Sequence, residues 1–291
     1  MHSTSAGPHT PAGLRMPPLP SATDDPAGVL VAVDLDGTIL EEGSLIRPET
    51  VAAIGAARQR GVRFTTASGR PLEFQLDVLG RFGLDGGAFS ALICEERDLH
   101  LYRGGSGAAA FEPVASWNEP THARWDGLAA EAFGWVEWLL SRAAERGWAA
   151  RLHHTWSDTL RSGLGVVAFG AEEHAIEFAE VLRARLRAES SGLACNRNRH
   201  LVQVHDALVD KASSLTALSG VLGVEPGHVL AIGDSDNDRS MVDGHCGFRS
   251  ATVANATPGV KDAVRRAGGT VADAPAGAGV AALLNDLVRA R

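Results

Sequence analysis

Residues 29–38 read Val-Leu-Val-Ala-Val-Asp-Leu-Asp-Gly-Thr, a short apolar run that ends in two acidic residues. Apolar and β-branched residues without polar alternation are typical of a strand buried on both faces of a parallel sheet. A helix predicted at 48–60 follows, with Pro48 in its first turn and Gly61 just past its end. A second strand predicted at 62–67 completes a strand–helix–strand unit, which favours right-handed crossovers and a parallel sheet.

The same alternation returns in the last third of the chain. The pattern predicts helices at 212–222, 258–267 and from about 279, and strands at 229–232 and 251–254. Polar clusters follow the predicted strands directly, as Asp-Leu-Asp-Gly-Thr at 34–38, Ser-Gly-Arg at 68–70 and Gly-Asp-Ser-Asp-Asn-Asp at 233–238. In open α/β sheets, functional groups collect at the carboxyl ends of strands. These clusters are therefore the first indication of a functional site.

The middle of the chain has a different pattern. It predicts helices at 123–146 and 172–188 and strands at 150–156, 166–170, 193–197 and 200–205. A helix followed by two strands, twice over, indicates a small α+β domain with an antiparallel sheet. We therefore predict a doubly wound, parallel, Rossmann-like α/β core from residues 26–105 and 207–291. An α+β domain of residues 106–206 is inserted into it.

Composition narrows the function classes. Of the 291 residues 45% are apolar and 21% charged, which supports a packed globular core. The net charge of −8 is the opposite of what a nucleic-acid binder carries. No apolar run approaches the ~20 residues of a membrane helix, and three widely spaced cysteines fit a reducing cytoplasm. Residues 1–25, rich in Pro, Ser, Thr and Gly, are expected to form a mobile tail rather than a signal peptide.

Asp34 and Asp36 are the first candidates for chemistry. Two carboxylates this close repel each other and call for a cation or a shared proton. Mg²⁺ prefers oxygen ligands and commonly retains a substrate phosphate, and Asp234, at the end of another strand, could complete its ligand set. The alternative is that Asp-Leu-Asp-Gly is only a turn, since all its polar residues favour turns.

Thr38, Ser68 and Lys211 fall near the same sheet edge. Taken singly, a hydroxyl after a strand usually caps a helix, and a lone lysine is usually solvated. Together they could bind three phosphoryl oxygens, the hydroxyls by hydrogen bonds and the lysine by its charge. A carboxylate can then attack phosphorus and form an aspartyl-phosphate, provided that Mg²⁺ and Lys211 offset the repulsion between anions.

The four segments together resemble the motifs of the haloacid dehalogenase (HAD) superfamily in order, placement and spacing. They are residues 34–38, Ser68, Lys211 and residues 233–238. Downstream, Val-Ala-Asn-Ala at 253–256 with Lys261, and Gly-Val-Ala at 279–281, resemble the Cof-type phosphatases of that superfamily. The insert resembles a C2-type cap, and its architecture is similar to the caps of sucrose-phosphate and mannosyl-phosphoglycerate phosphatases.

The resemblance implies a role for each matched residue. Asp34 would be the nucleophile and a Mg²⁺ ligand, and Asp36 would ligate through its backbone carbonyl and act as general acid and base. Thr38, Ser68 and Lys211 would bind the phosphoryl group. Asp234 would bind Mg²⁺. Asn237 and Asp238 would lie behind these groups, with Asp238 positioning Lys211 and the metal ligands.

The insert offers candidate residues for substrate binding, but no motif identifies them. Arg151, His153, Arg197 and Arg199 lie on or beside predicted strands and could face Asp34 as a polyol or acid pocket. The alternative is a solvated sheet face or a hairpin turn. One departure from the Cof-type pattern follows the strand predicted at 92–94, where Asn-Gly-Ala is replaced by Glu-Glu-Arg at 95–97.

The resemblance implies a cytoplasmic, Mg²⁺-dependent phosphomonoester hydrolase that acts on a small phosphorylated sugar or polyol. Dehalogenases lack the acidic residue found here at Asp36, which favours the phosphatase branch. A phosphomutase, which passes the phosphoryl group to a second hydroxyl, is the alternative enzyme. A catalytically silent regulatory protein is the alternative outside enzymes, although it has no need of Asp34, Asp36, Lys211 and Asp234 together. No nucleic-acid or membrane partner is expected, and the sequence leaves the oligomeric state open.

Overall fold

The computed structural model describes residues 28–84 and 87–289. Within them, eight strands form the larger sheet, in the order β12-β11-β10-β1-β2-β3-β4-β5. The strands are β1 Leu30–Val33, β2 Arg63–Ala67, β3 Ala91–Cys94, β4 Asp98–Tyr102, β5 Phe111–Pro113, β10 Val229–Ile232, β11 Arg249–Thr252 and β12 Thr270–Val271. The six from β12 to β3 are parallel, and β4 and β5 are added antiparallel. The expected parallel α/β sheet is therefore confirmed.

The helices of this part are α1 Pro48–Gln59, α2 Leu72–Arg81, α6 Lys211–Leu222, α7 Arg239–Val242, α8 Pro258–Arg266 and α9 Ala276–Arg289. They cover both faces of the sheet because alternate residues of β1 belong to different hydrophobic clusters. Val31 and Val33 pack with residues of α1, α2 and α9, and Leu30 and Ala32 with residues of α6, α7 and α8. Burial on both faces is what the apolar run at 29–33 predicts.

A second, four-stranded antiparallel sheet lies between β5 and α6 in the chain, in the order β6-β7-β9-β8. Its strands are β6 Ala150–Leu152, β7 Gly165–Phe169, β8 Leu193–Asn198 and β9 Leu201–Asp206. The helices of this part, hereafter the cap, are α3 Ala115–Glu145, α4 Trp156–Ser162 and α5 Glu172–Ala188. Val167, Cys195, Val202 and Val204 pack against α3 and α5, so one face of this sheet is covered by helices.

Several predicted elements differ from those observed. The strand predicted at 150–156 ends at Leu152, and α4 begins at Trp156 because Thr155 and Asp158 form a reciprocal capping box. Helix α3 begins at Ala115 rather than 123, and Pro120, its sixth residue, leaves out one of the backbone hydrogen bonds of the second turn. The strand predicted at 251–254 lies at 249–252, and the last helix begins at 276 rather than 279.

Some observed elements have no counterpart among the predicted ones. Helix α2 and the antiparallel strands β4 and β5 were not predicted. The expected tail at 1–25 lies outside the described residues. No helix that the structure describes is both long and apolar enough to cross a bilayer.

Candidate active site

Lys211 has no exposed surface, and neither has Asp238, to which it is paired. Lys211 is the first residue of α6, and its Nζ donates to Oδ1 of Asp34 and to Oδ1 of Asp238, each at 2.6 Å. Asp34 follows β1 directly, and Asp238 ends the short 3₁₀ helix after β10. Because β1 and β10 are parallel neighbours, their carboxyl ends bring these groups to one edge of the sheet.

Asp238 is fixed by more than the lysine. Its Oδ2 accepts hydrogen bonds from the backbone N–H groups of Asp234 and Ser235, each at 2.9 Å. Both of its oxygens are therefore engaged by protein groups. This suits a residue that positions Lys211 and closes the loop after β10.

Asp34, Asp234 and Asp238 form a compact cluster. One oxygen of each lies within 4.8 Å of the others, and all three residues are buried. Thr38 Oγ1 donates to Oδ1 of Asp234 at 3.2 Å. Gly37, with φ of 86°, leaves room for this loop, since a Cβ there would lie 2.6 Å from Oδ2 of Asp234.

The electrostatics of the cluster favour an added positive charge. Burial raises the pKa of Asp34 well above its usual value, Asp238 and Asp234 raise it further, and Lys211 opposes them. Burial and Asp238 raise the pKa of Asp234 to about 7, against the opposing effect of Arg199. Lys211 contacts two of the three buried carboxylates, and the cation facing Asp234 is the largely exposed Arg199, 3.8 Å away. A set of hard oxygen donors with surplus negative charge fits Mg²⁺, with Asp34 and Asp234 as the carboxylates whose oxygens are less fully engaged.

Asp36 lies on the more open side of the site and faces Arg70. The Arg70 guanidinium donates to both carboxylate oxygens of Asp36, at 2.7 and 2.9 Å, and lies 4.5 Å from the centroid of the Phe74 ring. A bidentate pair of this kind fixes the orientation of the carboxyl group. Arg70 was not predicted as a functional residue, although its place directly after Ser68-Gly69 at a strand end was an available signal.

Ser68 and Asn237 are both buried beside these groups. Ser68 Oγ accepts the N–H of Arg70 at 3.2 Å. Asn237 Nδ2 donates to Glu96 Oε1 at 2.7 Å, whereas its own Oδ1 has no hydrogen-bond partner in the described chain. Glu96 comes from the Glu-Glu-Arg segment that departs from the Cof-type pattern, and it adds a fourth buried carboxylate near Lys211.

Two cap arginines reach the edge of the larger sheet. Arg197, only 7% exposed, donates to Glu172 and to Asp236, each at 2.8 Å, and to the backbone carbonyl of Arg199 at 2.5 Å. All three contacts are with protein groups, so Arg197 holds the end of β8 against the loop after β10. Arg199, in the turn after β8, is largely exposed and lies 3.8 Å from Oδ2 of Asp234.

The structure does not bring Arg151 or His153 into hydrogen-bond contact with the carboxylate cluster. Within the described residues, Arg151 is exposed, and Nδ1 of His153 is buried without a partner. His153 packs against His154, with ring centroids 4.4 Å apart. Burial lowers the pKa of His153, and the charges of His154, Arg151 and Arg70 lower it further, so this corner of the cleft is cationic.

Comparison with known proteins places this arrangement in a family. The sequence matches the haloacid dehalogenase-like hydrolases over residues 31–96 and 154–284. It is 27% identical over 251 residues to the HMP-PP phosphatase of Klebsiella pneumoniae, covering 80% of this chain and 86% of that protein. It is 28% identical over 233 residues to the phosphoglycolate phosphatase of Methanothermobacter thermautotrophicus, covering 80% and 88%.

Solved structures share the fold. The sucrose-phosphatase of Synechocystis sp. PCC6803 superposes with a TM-score of 0.66 at 14% identity, over 90% of this chain and 98% of that one. A haloacid dehalogenase-like hydrolase of B. subtilis superposes with a TM-score of 0.62 at 16% identity, over 89% and 99%. Both the core and the cap are therefore covered by known folds.

Proposed function

The chain belongs to the haloacid dehalogenase-like hydrolases and is a phosphatase, and we propose that it hydrolyses a small phosphorylated sugar or polyol with the help of Mg²⁺. The observation that carries the proposal is the placement of Lys211, 2.6 Å from both Asp34 and Asp238, beside the carboxylate of Asp234. A solvated surface cluster has no use for a fully buried lysine shared between two carboxylates. A site that binds a phosphoryl group needs one.

Asp34 is the proposed nucleophile. Lys211 holds one of its oxygens, Oδ1, which leaves Oδ2 to attack phosphorus. The bond that forms joins Asp34 to phosphorus, and the bond that breaks joins phosphorus to the leaving alcohol oxygen. Thr38 and Ser68, both buried at the same edge, are the proposed hydroxyl donors to the phosphoryl oxygens.

Asp36 is the proposed proton carrier. It gives its proton to the leaving alcohol in the first step, and in the second it accepts a proton from the water that attacks the aspartyl-phosphate. Inorganic phosphate then leaves and Asp34 is regenerated. The two hydrogen bonds from Arg70 hold the carboxyl group of Asp36 in a fixed orientation for these proton transfers.

Mg²⁺ would be held by Asp34 and Asp234, with the backbone carbonyl of Asp36. When bound, it would neutralise charge on the phosphoryl group and so reduce the repulsion between two anions. The insert would act as a cap that closes over the leaving group and excludes water. The boundaries of that cap, at 106 and 206, stay part of the proposal.

The proposed small substrate is supported by the names of the relatives. An HMP-PP phosphatase, a phosphoglycolate phosphatase and a sucrose-phosphatase all take small phosphorylated molecules by name. We propose a cytoplasmic location, which is supported only by the cysteine usage and the proposed cofactor.

Phosphate release from p-nitrophenyl phosphate tests the proposal. Wild-type protein should release phosphate only when Mg²⁺ is present, and Asp34→Asn should release none, although its circular dichroism and melting temperature show a folded protein. Gln59→Leu, on the exposed end of α1, is the control and should retain full activity. Undiminished turnover by Asp34→Asn would contradict the assignment of Asp34 as nucleophile. Activity that survives exhaustive chelation would contradict the role of Mg²⁺.

A further inference from the structure

Gln203 carries a buried polar side chain in the sheet of the cap. It lies in the middle of β9 and is only 5% exposed. Its Oε1 has no hydrogen-bond partner among residues 28–84 and 87–289. A buried amide left unpaired is costly, and native proteins rarely keep one unless a ligand or water satisfies it.

The amide of Gln203 faces away from the hydrophobic interior of the cap. Val202 and Val204 pack against α3 and α5, so strand alternation turns Gln203 and His205 to the opposite face of the sheet. Asn196 is paired directly with Gln203 across β8 and β9, and it lies on the same face because Cys195 points into the helices. Asn196 Oδ1 is likewise buried without a partner in the described chain. The two amides therefore form one polar patch.

The course of β9 places this patch relative to the larger sheet. At its start, Arg199 lies beside Asp234, which follows β10. At its other end, His205 lines a small cavity with Glu95 and Glu96, which follow β3. In the larger sheet β1 and β2 lie between β10 and β3.

The spacing of strands agrees with such a crossing. Three strand intervals of ~4.8 Å separate β10 from β3, about 14 Å in all, and six residues of extended chain span about 20 Å. The six residues of β9, which follow the turn at 199–200, are thus long enough to cross from one to the other. From this crossing we infer that Gln203, near the middle of the stretch, faces the ends of β1 and β2, which carry Asp34 and Ser68.

We propose that Gln203, together with Asn196, determines specificity by hydrogen-bonding the hydroxyl groups of the leaving alcohol. This rests on the proposed phosphatase function. A carboxamide both donates and accepts, which matches the two capacities of a hydroxyl group. A site built to hydrogen-bond a hydroxyl rejects the analogue that lacks it, because its own polar groups are then left unpaired.

Two substrates of equal length test the proposal. Glycerol 3-phosphate carries two hydroxyl groups, and n-propyl phosphate carries none. We expect wild-type protein to prefer glycerol 3-phosphate in kcat/KM, and Gln203→Leu to lower that preference at least about tenfold, the effect of about 1.4 kcal/mol. Gln203→Met is a second variant of similar volume, and Gln59→Leu, the same substitution at an exposed site of α1, should leave the preference unchanged.

Thermal unfolding supplies a readout that does not depend on turnover. Gln203→Leu should raise the melting temperature, since it replaces an unpaired buried amide by an apolar group of similar size. Glycerol 3-phosphate should raise the melting temperature of wild-type protein more than n-propyl phosphate does, and this difference should disappear in Gln203→Leu.

The outcomes separate the two proposals. A wild-type protein that fails to release phosphate even from p-nitrophenyl phosphate would defeat the proposed function. The melting shifts would still test whether Gln203 binds the hydroxyl groups. An unchanged preference and unchanged melting shifts in an active Gln203→Leu would overturn the inference. So would a lower melting temperature, because it would show that the amide serves the fold.

Discussion

Lys211 Nζ lies 2.6 Å from Oδ1 of Asp34, although 177 positions separate the two residues in the chain. The contact joins the two segments of the chain that flank the insert, because the whole cap lies between Asp34 and Lys211 in the sequence. It also concentrates charge among buried residues, where an unpaired charge is most costly.

We expect Lys211→Met to destabilise the protein by about 3–5 kcal/mol, because Asp34 and Asp238 would remain buried without their cation. Urea denaturation at neutral pH measures the loss. The double variant Lys211→Met with Asp238→Asn should lose less than the sum of the two single changes, since one of the abandoned charges is removed with the lysine. Additive losses would mean that the two residues do not interact energetically.

The pH dependence of stability should carry the signature of Asp234. Its pKa of about 7 in the folded protein lies above the ~3.9 of an unfolded aspartate, so the folded state holds the proton more tightly. The stability from this group is present below about pH 4 and is lost as the pH rises through 7. In chelator-treated protein, the free energy of unfolding should therefore fall between about pH 4 and pH 7.

Asp234→Asn is the matched variant for that measurement. It carries no titrating group at this position, so its stability should fall less over the same range than that of wild-type protein. Equal pH profiles for the two proteins, measured by urea denaturation, would show that Asp234 does not titrate as its surroundings imply.

Arg197 should control how firmly the cap lies against the core. It is nearly buried and bridges Glu172 of the cap to Asp236 of the loop after β10. Arg197→Met should raise hydrogen exchange at residues 198–201 and 236–238 and increase KM several-fold. Arg187→Ala, an exposed arginine of α5, removes the same charge without such contacts and is the control. Unchanged exchange at both segments would deny the bridge a role in docking.

Arg70 should act on turnover through Asp36. Both oxygens of Asp36 depend on the planar fork of the guanidinium, which a lysine cannot reproduce. We therefore expect kcat for p-nitrophenyl phosphate to fall in the order wild type, Arg70→Lys, Arg70→Met, with a loss of about tenfold or more for the last. Full activity in Arg70→Met would mean that Asp36 needs no partner to move a proton.

The parallel sheet could be predicted because strand and helix patterns alternate, and the edge that carries the site because apolar runs are followed at once by polar clusters. The run at 29–33 has no polar residue, so it permits only a strand buried on both faces, and Asp34 then falls at a strand end. The same alternation of strands and helices predicted that Lys211 and Asp234 lie at one edge of the sheet. These inferences needed only local sequence and the rule that parallel strands share an edge.

The rest depended on contacts between distant segments. Nothing in the sequence around Arg70 says that its guanidinium meets Asp36 rather than solvent. Helix α4 was hidden because Trp156 continues an apolar pattern, and only the capping box of Thr155 and Asp158 starts the helix there. Gln203 could not be found from sequence, because its significance lies in the partner that it lacks.

The Glu-Glu-Arg segment at 95–97 has a consequence for exchanging one cap for another. Ser214 of α6 donates to the carbonyl of Glu96, and the Trp117 indole of α3 donates to the carbonyl of Arg97. The helix that leads into the cap and the helix that follows it therefore both contact one short turn. A foreign cap grafted onto this core would have to carry side chains that fit the same turn. Without them, the transplanted cap would lose its attachment to the core at this point.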